Sequence, residues 1–146
     1  MIAGMEGVAI IHAIGLAGAV VMAKVLGVGG VFFKSADPAA LRVWYNRALG
    51  IEMEQWGAFF TPDLAAGQPG AGTAFAPFSA DTDHFAPSDN EYMFNLMVDD
   101  LDAMLARCLE AGVTPLKVVD EGMGRFAHIM DPEGRKIELW EPKPYG

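Results

Sequence analysis

Cysteine is nearly absent from this chain of 146 residues, which contains Cys108 alone. A single cysteine excludes an internal disulfide, and this usage is typical of reducing compartments. We therefore expect a cytoplasmic protein. Cys108 falls in the apolar stripe of a predicted helix, so we expect a buried side chain rather than a reactive thiol.

Positive charge is also scarce, with 10 Lys and Arg residues against 19 Asp and Glu residues and a net charge of -9. No cluster of basic residues occurs, although such clusters are the electrostatic signature of surfaces that bind nucleic acid. We therefore expect no nucleic-acid partner. The acidic balance favours neutral or cationic ligands.

A sufficiently long apolar run is missing as well. Residues 7–23 carry no charged side chain, but they fall just short of the roughly 18 apolar residues of a spanning helix, and they include His12 and several glycines. A secretory signal would begin with basic residues, whereas only Glu6 precedes this run. We expect no membrane association and interpret residues 1–22 as an apolar N-terminal extension that folding does not require. The alternative is a helix or strand that covers apolar surface, including surface on a partner subunit.

Two halves of the chain repeat the same order of predicted elements: strand, helix, strand, strand, strand. The helices begin after Asp37 and Asp100 and end before Gly50 and Gly112, in agreement with the preference for Asp at N-caps and Gly after C-termini. The predicted strands are residues 25–33, 51–56, 58–61, 73–78, 92–98, 113–119, 125–130 and 136–140.

The loops between these elements define the predicted domain organisation. Residues 62–72 form a loop rich in Pro, Gly and Ala, and residues 79–90 form a polar linker between the halves. We therefore predict a single domain at residues 23–142. Its first module covers about residues 24–78, and its second module covers residues 91–142.

The last two strands form a predicted β-hairpin around the Asp-Pro-Glu-Gly turn at residues 131–134. If Asp131 opposes Gly134, then Arg125 and Glu138 share one face of the sheet, and His128 lies on the face that packs against the helices. Glu138 then has two interpretations. It is either a functional carboxylate among apolar neighbours or the structural partner of Arg125.

This order of elements, together with three motifs, resembles the vicinal oxygen chelate superfamily, which includes glyoxalase I, bleomycin-resistance proteins and extradiol dioxygenases. The resemblance covers about residues 24–142. It implies an α+β fold in which two βαβββ modules form an open, cup-shaped, eight-stranded mixed sheet with helices on its outer face. The motifs are Asp37-Pro38 with Trp44-Tyr45 and Leu49-Gly50, then Val98-Asp99-Asp100-Leu101, then Asp131-Pro132-Glu133-Gly134 through Glu138-Leu139-Trp140-Glu141-Pro142.

Metal-dependent members of the superfamily place one metal ligand on the first strand and one on the last strand of each module. The matching positions in this chain are Gly30, Ala76, Met93 and Glu138. A divalent metal needs several nitrogen or oxygen donors, and only Glu138 offers one. The resemblance therefore implies no bound metal and no other cofactor.

The same correspondence implies an apolar and aromatic lining of the cup with a few polar groups, which is the usual composition of a small-molecule site. The candidate catalytic residue is Glu138. The candidate ligand-binding residues are Phe32, Phe78, Met93, Asn95, Arg125 and Trp140.

Two functions follow from the resemblance. One is a metal-independent protein that binds a small molecule in its apolar cup, as antibiotic-sequestering relatives do. The other is a lyase or dioxygenase-type enzyme that uses Glu138 as a general base or as a lone ligand. A third possibility is a cup filled by the chain's own side chains. We also expect a homodimer, because relatives commonly associate and the mean hydropathy is high for this length, at +0.24.

Overall fold

The computed structural model describes residues 22–144, so the predicted N-terminal extension lies outside the described residues except for Met22. Within residues 22–144, no helix is both long enough and apolar enough to cross a membrane. The elements, in chain order, are α1 (Pro38–Leu49), α2 (Pro62–Ala66), β1 (Phe94–Met97), α3 (Leu101–Glu110), β2 (Lys117–Glu121), β3 (Gly124–Met130) and β4 (Lys136–Pro142).

The four strands form one mixed sheet in the order β1-β4-β3-β2. Strand β1 pairs with β4 in parallel, and the β2–β3 and β3–β4 pairs are antiparallel. Helix α3 provides the crossover from β1, as a parallel strand pair requires. The second half of the chain therefore has the predicted βαβββ order, and the protein has a mixed α+β architecture.

The first half contributes two helices but no strand to this sheet. Among residues 22–93, the structure contains one isolated bridge, between Glu54 and Gly57. Helix α2 forms inside the predicted loop 62–72, because Pro62 at its first position suits a helix start. Large apolar side chains stay exposed here, including Phe32 at 75% and Phe75 at 92%. The sheet of eight strands and two modules remains a prediction.

Local capping explains where the two longer helices begin. In α1, the Asp37 carboxylate accepts a hydrogen bond from the Ala40 N–H at 3.1 Å, and Gly50 ends the helix with a left-handed φ of 72°. In α3, the Asp100 carboxylate accepts from the Ala103 N–H at 3.0 Å. Such caps satisfy backbone donors that helices leave free, and each stabilises by about 1 kcal/mol.

Helices α1 and α3 cover one face of the sheet and form the core with it. Cys108 is buried as predicted, and burial raises the pKa of its thiol. Full burial of a Leu or Ile side chain stabilises by roughly 1.5–3 kcal/mol. The opposite sheet face carries neither of these helices. The core residues are Leu41, Tyr45, Ala48, Leu49, Val98, Leu101, Cys108, Ala127, Ile129, Ile137 and Leu139.

The β3–β4 hairpin differs from the predicted one by a single residue. The Asp131 N–H donates to the Arg135 carbonyl at 2.8 Å, so Asp131 opposes Arg135 rather than Gly134. Gly134 is the third residue of the loop and has a φ of 85°. Its N–H donates to the Asp131 carbonyl and so closes the turn. This is the usual three-residue hairpin loop, with glycine in the left-handed region. The predicted register is therefore wrong, and a one-residue shift exchanges the two faces of a strand.

The Asp131 carboxylate fixes this hairpin against helix α1. It is buried and accepts from the Tyr45 hydroxyl at 2.9 Å, from the backbone N–H of Glu133 at 2.8 Å and from that of Arg135 at 3.0 Å. The Arg135 guanidinium adds an ion pair at 3.0 Å. Burial, and then the nearby Asp131 charge, raise the pKa of Tyr45, so its hydroxyl stays a donor.

Candidate functional site

The sheet face away from α1 and α3 carries the candidate site. In the observed register, His128 lies opposite Glu138, and Phe126 lies opposite Trp140. The parallel pairing of β1 with β4 places Asn95 beside Glu138. Because side chains alternate along a strand, all five belong to the same face. A polar centre and an aromatic pair are therefore neighbours on the open side of the sheet.

The polar centre is organised around the Glu138 carboxylate. Its Oε2 atom lies 2.7 Å from His128 Nε2 and 3.7 Å from His84 Nε2. Its Oε1 atom accepts a hydrogen bond from the Asn95 amide at 2.8 Å. The His128 side chain is buried, whereas 16% of the Glu138 side chain and 38% of the His84 side chain stay exposed. The carboxylate is thus well held but still accessible from one side.

His84 comes from the linker between the two halves, and several contacts hold it in place. Its ring stacks on Phe78 with 5.3 Å between centroids and 12° between planes. Its N–H donates to the Thr82 hydroxyl at 3.1 Å, and its carbonyl accepts from the Lys136 ammonium. Burial lowers the pKa of Lys136. The linker therefore supplies a side chain to the polar centre, rather than only a connection.

The aromatic part of the site adjoins a small cavity. The rings of Phe126 and Trp140 are parallel within 5°, with centroids 6.1 Å apart. The Trp140 indole N–H donates to the Met123 carbonyl at 3.0 Å, which fixes the ring. The cavity has a volume of about 230 Å³. It is lined by His84, Lys117, Val119, Glu121, Phe126, His128 and Glu138.

Four of the predicted site residues meet in this region. Glu138 and Asn95 are hydrogen-bonded, Trp140 lies two residues further along the same face of β4, and Phe78 stacks on His84. Asn95 comes from β1, Glu138 and Trp140 come from β4, and Phe78 directly precedes the linker. The structure therefore gives these four candidates a common location.

Three other predicted site residues lie elsewhere. Arg125 opposes Glu141 on the helix-facing side and donates to the Asp102 carboxylate on α3 at 2.9 Å. The predicted pairing of Arg125 with Glu138 is therefore wrong, as a consequence of the register shift. Phe32 is largely exposed on a segment without strand pairing, and Met93 precedes β1 and does not line the cavity.

The sequence reasoning missed three residues that the structure brings to the site: His84, Phe126 and His128. The predicted hairpin register places His128 on the helix-facing side, and Phe126, two residues earlier on the same strand, with it. The signal that could have corrected this was Gly134, because a glycine at the end of the turn is typical of three-residue loops. No sequence signal placed His84, since the path of an irregular linker depends on tertiary contacts.

The metal-ligand positions that the resemblance implies do not fit a metal. Gly30, Ala76 and Met93 have no nitrogen or oxygen in their side chains. The ring of Phe32 also occupies the space beside Gly30, where an added Cβ would come within 2.9 Å of a ring atom. The superfamily's usual set of ligands is therefore not formed by these residues.

The arrangement offers a carboxylate with one imidazole in hydrogen-bond contact with its Oε2 atom and a second imidazole 3.7 Å from that atom. Such a group can accept a hydrogen bond from a ligand, bind a cation or accept a proton. The neighbouring aromatic rings offer apolar contact. The site therefore suits recognition of a small molecule that has both apolar and polar parts.

A family model described as a glyoxalase-like domain matches residues 30–140. No curated protein matches the chain. A solved glyoxalase/bleomycin resistance protein from Catenulispora acidiphila DSM 44928 is 23% identical, with a TM-score of 0.40, over 73% of this chain and 90% of its own.

A second solved structure, TnmS3, is an antibiotic binding protein from Streptomyces sp. CB03234. It is 38% identical over 34% of this chain, with a TM-score of 0.33, and the match spans 41% of its own length. The match to the family model covers well over half of the present chain. The chain therefore belongs to the family of glyoxalase-like domains, within the vicinal oxygen chelate superfamily.

Proposed function

We propose that the protein binds a small organic molecule on the sheet face that carries Glu138. An aromatic or other apolar part of the ligand lies beside Phe126, and a donor group points at the carboxylate. The observation that carries this proposal is the partly exposed carboxylate next to the Phe126–Trp140 ring pair, beside a cavity of about 230 Å³. Small-molecule sites combine apolar surface with a few such polar groups.

The charge of the site favours a ligand with a cationic or neutral donor. Glu138 is acceptor-only when ionised, and it lies in a partly desolvated position where a charge-assisted hydrogen bond is strong. The neighbouring Lys136 ammonium is already directed at the His84 carbonyl. The chain as a whole carries a net charge of -9, which repels anions. Binding of this kind needs no metal at the four superfamily positions.

A matched series of naphthalene compounds tests the proposal: the methylamine, the methanol and the carboxylate. We expect the methylamine to raise the melting temperature of the wild-type protein most and the carboxylate least. At a ligand concentration about 100 times Kd, the stabilisation is about 2.7 kcal/mol. Glu138→Gln should abolish the advantage of the amine over the alcohol, because the carboxylate charge is gone.

Glu110→Gln is the matched control, since this exposed carboxylate ends α3 on the other side of the sheet. It should leave the order of the three compounds unchanged. If the naphthalene carboxylate binds as well as the amine, or if no compound stabilises the wild-type protein, the proposal fails.

A second candidate function is a lyase or dioxygenase-type enzyme with Glu138 as general base. The observation that favours it is the 2.7 Å contact between His128 Nε2 and Glu138 Oε2, a geometry in which one group orients the other for proton transfer. Incubation with a fraction of cellular small molecules separates the two functions. An enzyme consumes at least one compound and Glu138→Gln consumes none, whereas a binding protein retains compounds unchanged.

A further inference from the structure

Three donor atoms converge at the polar centre from three separate parts of the chain. His84 Nε2 and His128 Nε2 lie 3.7 Å and 2.7 Å from the same Glu138 oxygen, and the ligand atoms of these three residues lie within 4.8 Å of one another. Within residues 22–144, these three residues are the His, Cys, Asp or Glu side chains that lie close enough to one another to hold a metal ion. We propose that His84, His128 and Glu138 bind one divalent transition-metal ion.

The distances fit a metal after small adjustments of the side chains. Two ligand atoms about 2.1 Å from a tetrahedral zinc ion lie about 3.4 Å from each other. The pair at 2.7 Å would therefore open by about 0.7 Å, and the pair at 3.7 Å would close by about 0.3 Å. The ligand atoms of the two histidines lie within 4.8 Å of each other, so this pair would close by at most about 1.4 Å.

Glu138 and His84 are each held by neighbours that leave the ligand atom free. The Asn95 amide binds Glu138 Oε1, so Oε2 remains available for a metal. Phe78 stacks on the His84 ring, and the Lys136 ammonium holds the His84 carbonyl. Contacts that orient the ligands in this way typically change metal affinity by about 10–100-fold.

The chemistry of the donors selects the kind of ion. Two imidazoles and one carboxylate suit zinc, iron, nickel or cobalt, whereas magnesium and calcium prefer a shell of oxygen atoms. Three protein ligands leave a coordination position open, as catalytic zinc sites do. His84, His128 and Glu138 all line the cavity, so the open position would face it.

This site differs from the set of ligands that the superfamily resemblance implies, because only Glu138 belongs to both. The sequence-based expectation of no metal rested on the four positions that match the superfamily ligands and on a register with His128 on the opposite face. The proposed site replaces that expectation. The inference goes beyond the proposed function. The expected order of the naphthalene compounds applies to the metal-free protein, because a bound divalent ion would offset the charge of Glu138.

Titration of the full-length, chelator-treated protein with Co²⁺ alone tests the inference, with calorimetry and visible absorption as readouts. We expect one Co²⁺ per chain, the absorption of a low-coordinate cobalt ion, and competition by Zn²⁺. His84→Ala, His128→Asn and Glu138→Gln should each weaken binding at least about 100-fold. Asn95→Ala should weaken it about tenfold, because Glu138 loses the group that orients it.

Glu110→Gln is the matched control, since it removes an exposed carboxylate that is not in the cluster. It should keep the wild-type affinity within about twofold. His84 lies in a partly exposed linker, so His84→Ala remains informative even if the buried His128 variant does not fold. Failure of the wild-type protein to take up Co²⁺, or unchanged affinity in His84→Ala, would show that these residues form hydrogen bonds only.

Discussion

Asp131 sets the register on which the site depends, and Asp131→Asn is the sharpest test of the fold. Its side chain is fully buried and accepts hydrogen bonds from the Tyr45 hydroxyl, two backbone N–H groups and the Arg135 guanidinium. An Asn of the same size can still accept from the backbone groups. It cannot neutralise Arg135. Its NH₂ group, which is a donor, would also face the Tyr45 hydroxyl and the Arg135 guanidinium, which are donors as well.

The size of the effect follows from the burial of this ion pair. Removing one partner of a buried pair costs about 3–5 kcal/mol when the other charge is left uncompensated. The Glu133 carboxylate also lies 3.1 Å from the Arg135 guanidinium, so we expect a cost at the lower end of this range, about 3 kcal/mol. The Arg135 side chain is only 6% exposed, so water cannot replace the lost carboxylate. For a chain of this size, 1 kcal/mol corresponds to about 2–4 °C in the melting temperature. We therefore expect Asp131→Asn to lower the melting temperature by about 10 °C.

Thermal unfolding followed by circular dichroism measures this change, with Tyr45→Phe as a graded comparison. Tyr45→Phe removes one of the hydrogen bonds to the carboxylate and keeps the ring, so it should cost less, about 1.5–3 kcal/mol. A melting temperature of Asp131→Asn within about 2 °C of the wild type would refute the argument that this carboxylate holds the hairpin in register.

Two further predictions concern a buried lysine and the exposed first half of the chain. Burial lowers the pKa of Lys136 in the folded protein below its ordinary value. At pH values between these two, the unfolded chain binds more protons than the folded protein does. The free energy of unfolding therefore rises with pH through that range. Urea unfolding at about pH 8 and pH 10 should show this rise in the wild type and in Lys117→Met, but a smaller one in Lys136→Met. We also predict a homodimer, because apolar side chains such as Phe32 and Phe75 are largely exposed and a second copy could cover them. A monomer in light scattering at micromolar concentration would contradict this.

Helices α1 and α3 could be predicted from the sequence because their signals are local. Asp37 and Asp100 form the expected caps, and Gly50 ends α1 in the left-handed conformation that favours glycine. The order of elements in the second half was also predictable, since strand periodicity and turn residues act over a few positions. The strands predicted for the first half depend on distant pairing partners, which a local pattern does not specify.

The candidate site was predicted only in part, and the hairpin shows why. Alternation along β4 correctly grouped Glu138 with Trp140, because side-chain direction along one strand is a local property. Which β3 residues join them depends on loop length. One additional loop residue, Gly134, moved His128 and Phe126 to the open face and turned Arg125 toward α3.

The sequence by itself determined helices α1 and α3, the place of the final hairpin, and the position of Glu138 on the same face of β4 as Trp140. Only the tertiary structure decided which groups surround that carboxylate. Asn95 reaches Glu138 through a parallel strand pair, and His84 reaches it through a linker held by Phe78 and Lys136. These contacts join residues far apart in the chain, and they form because the sheet and the packing bring them together, which no local spacing encodes.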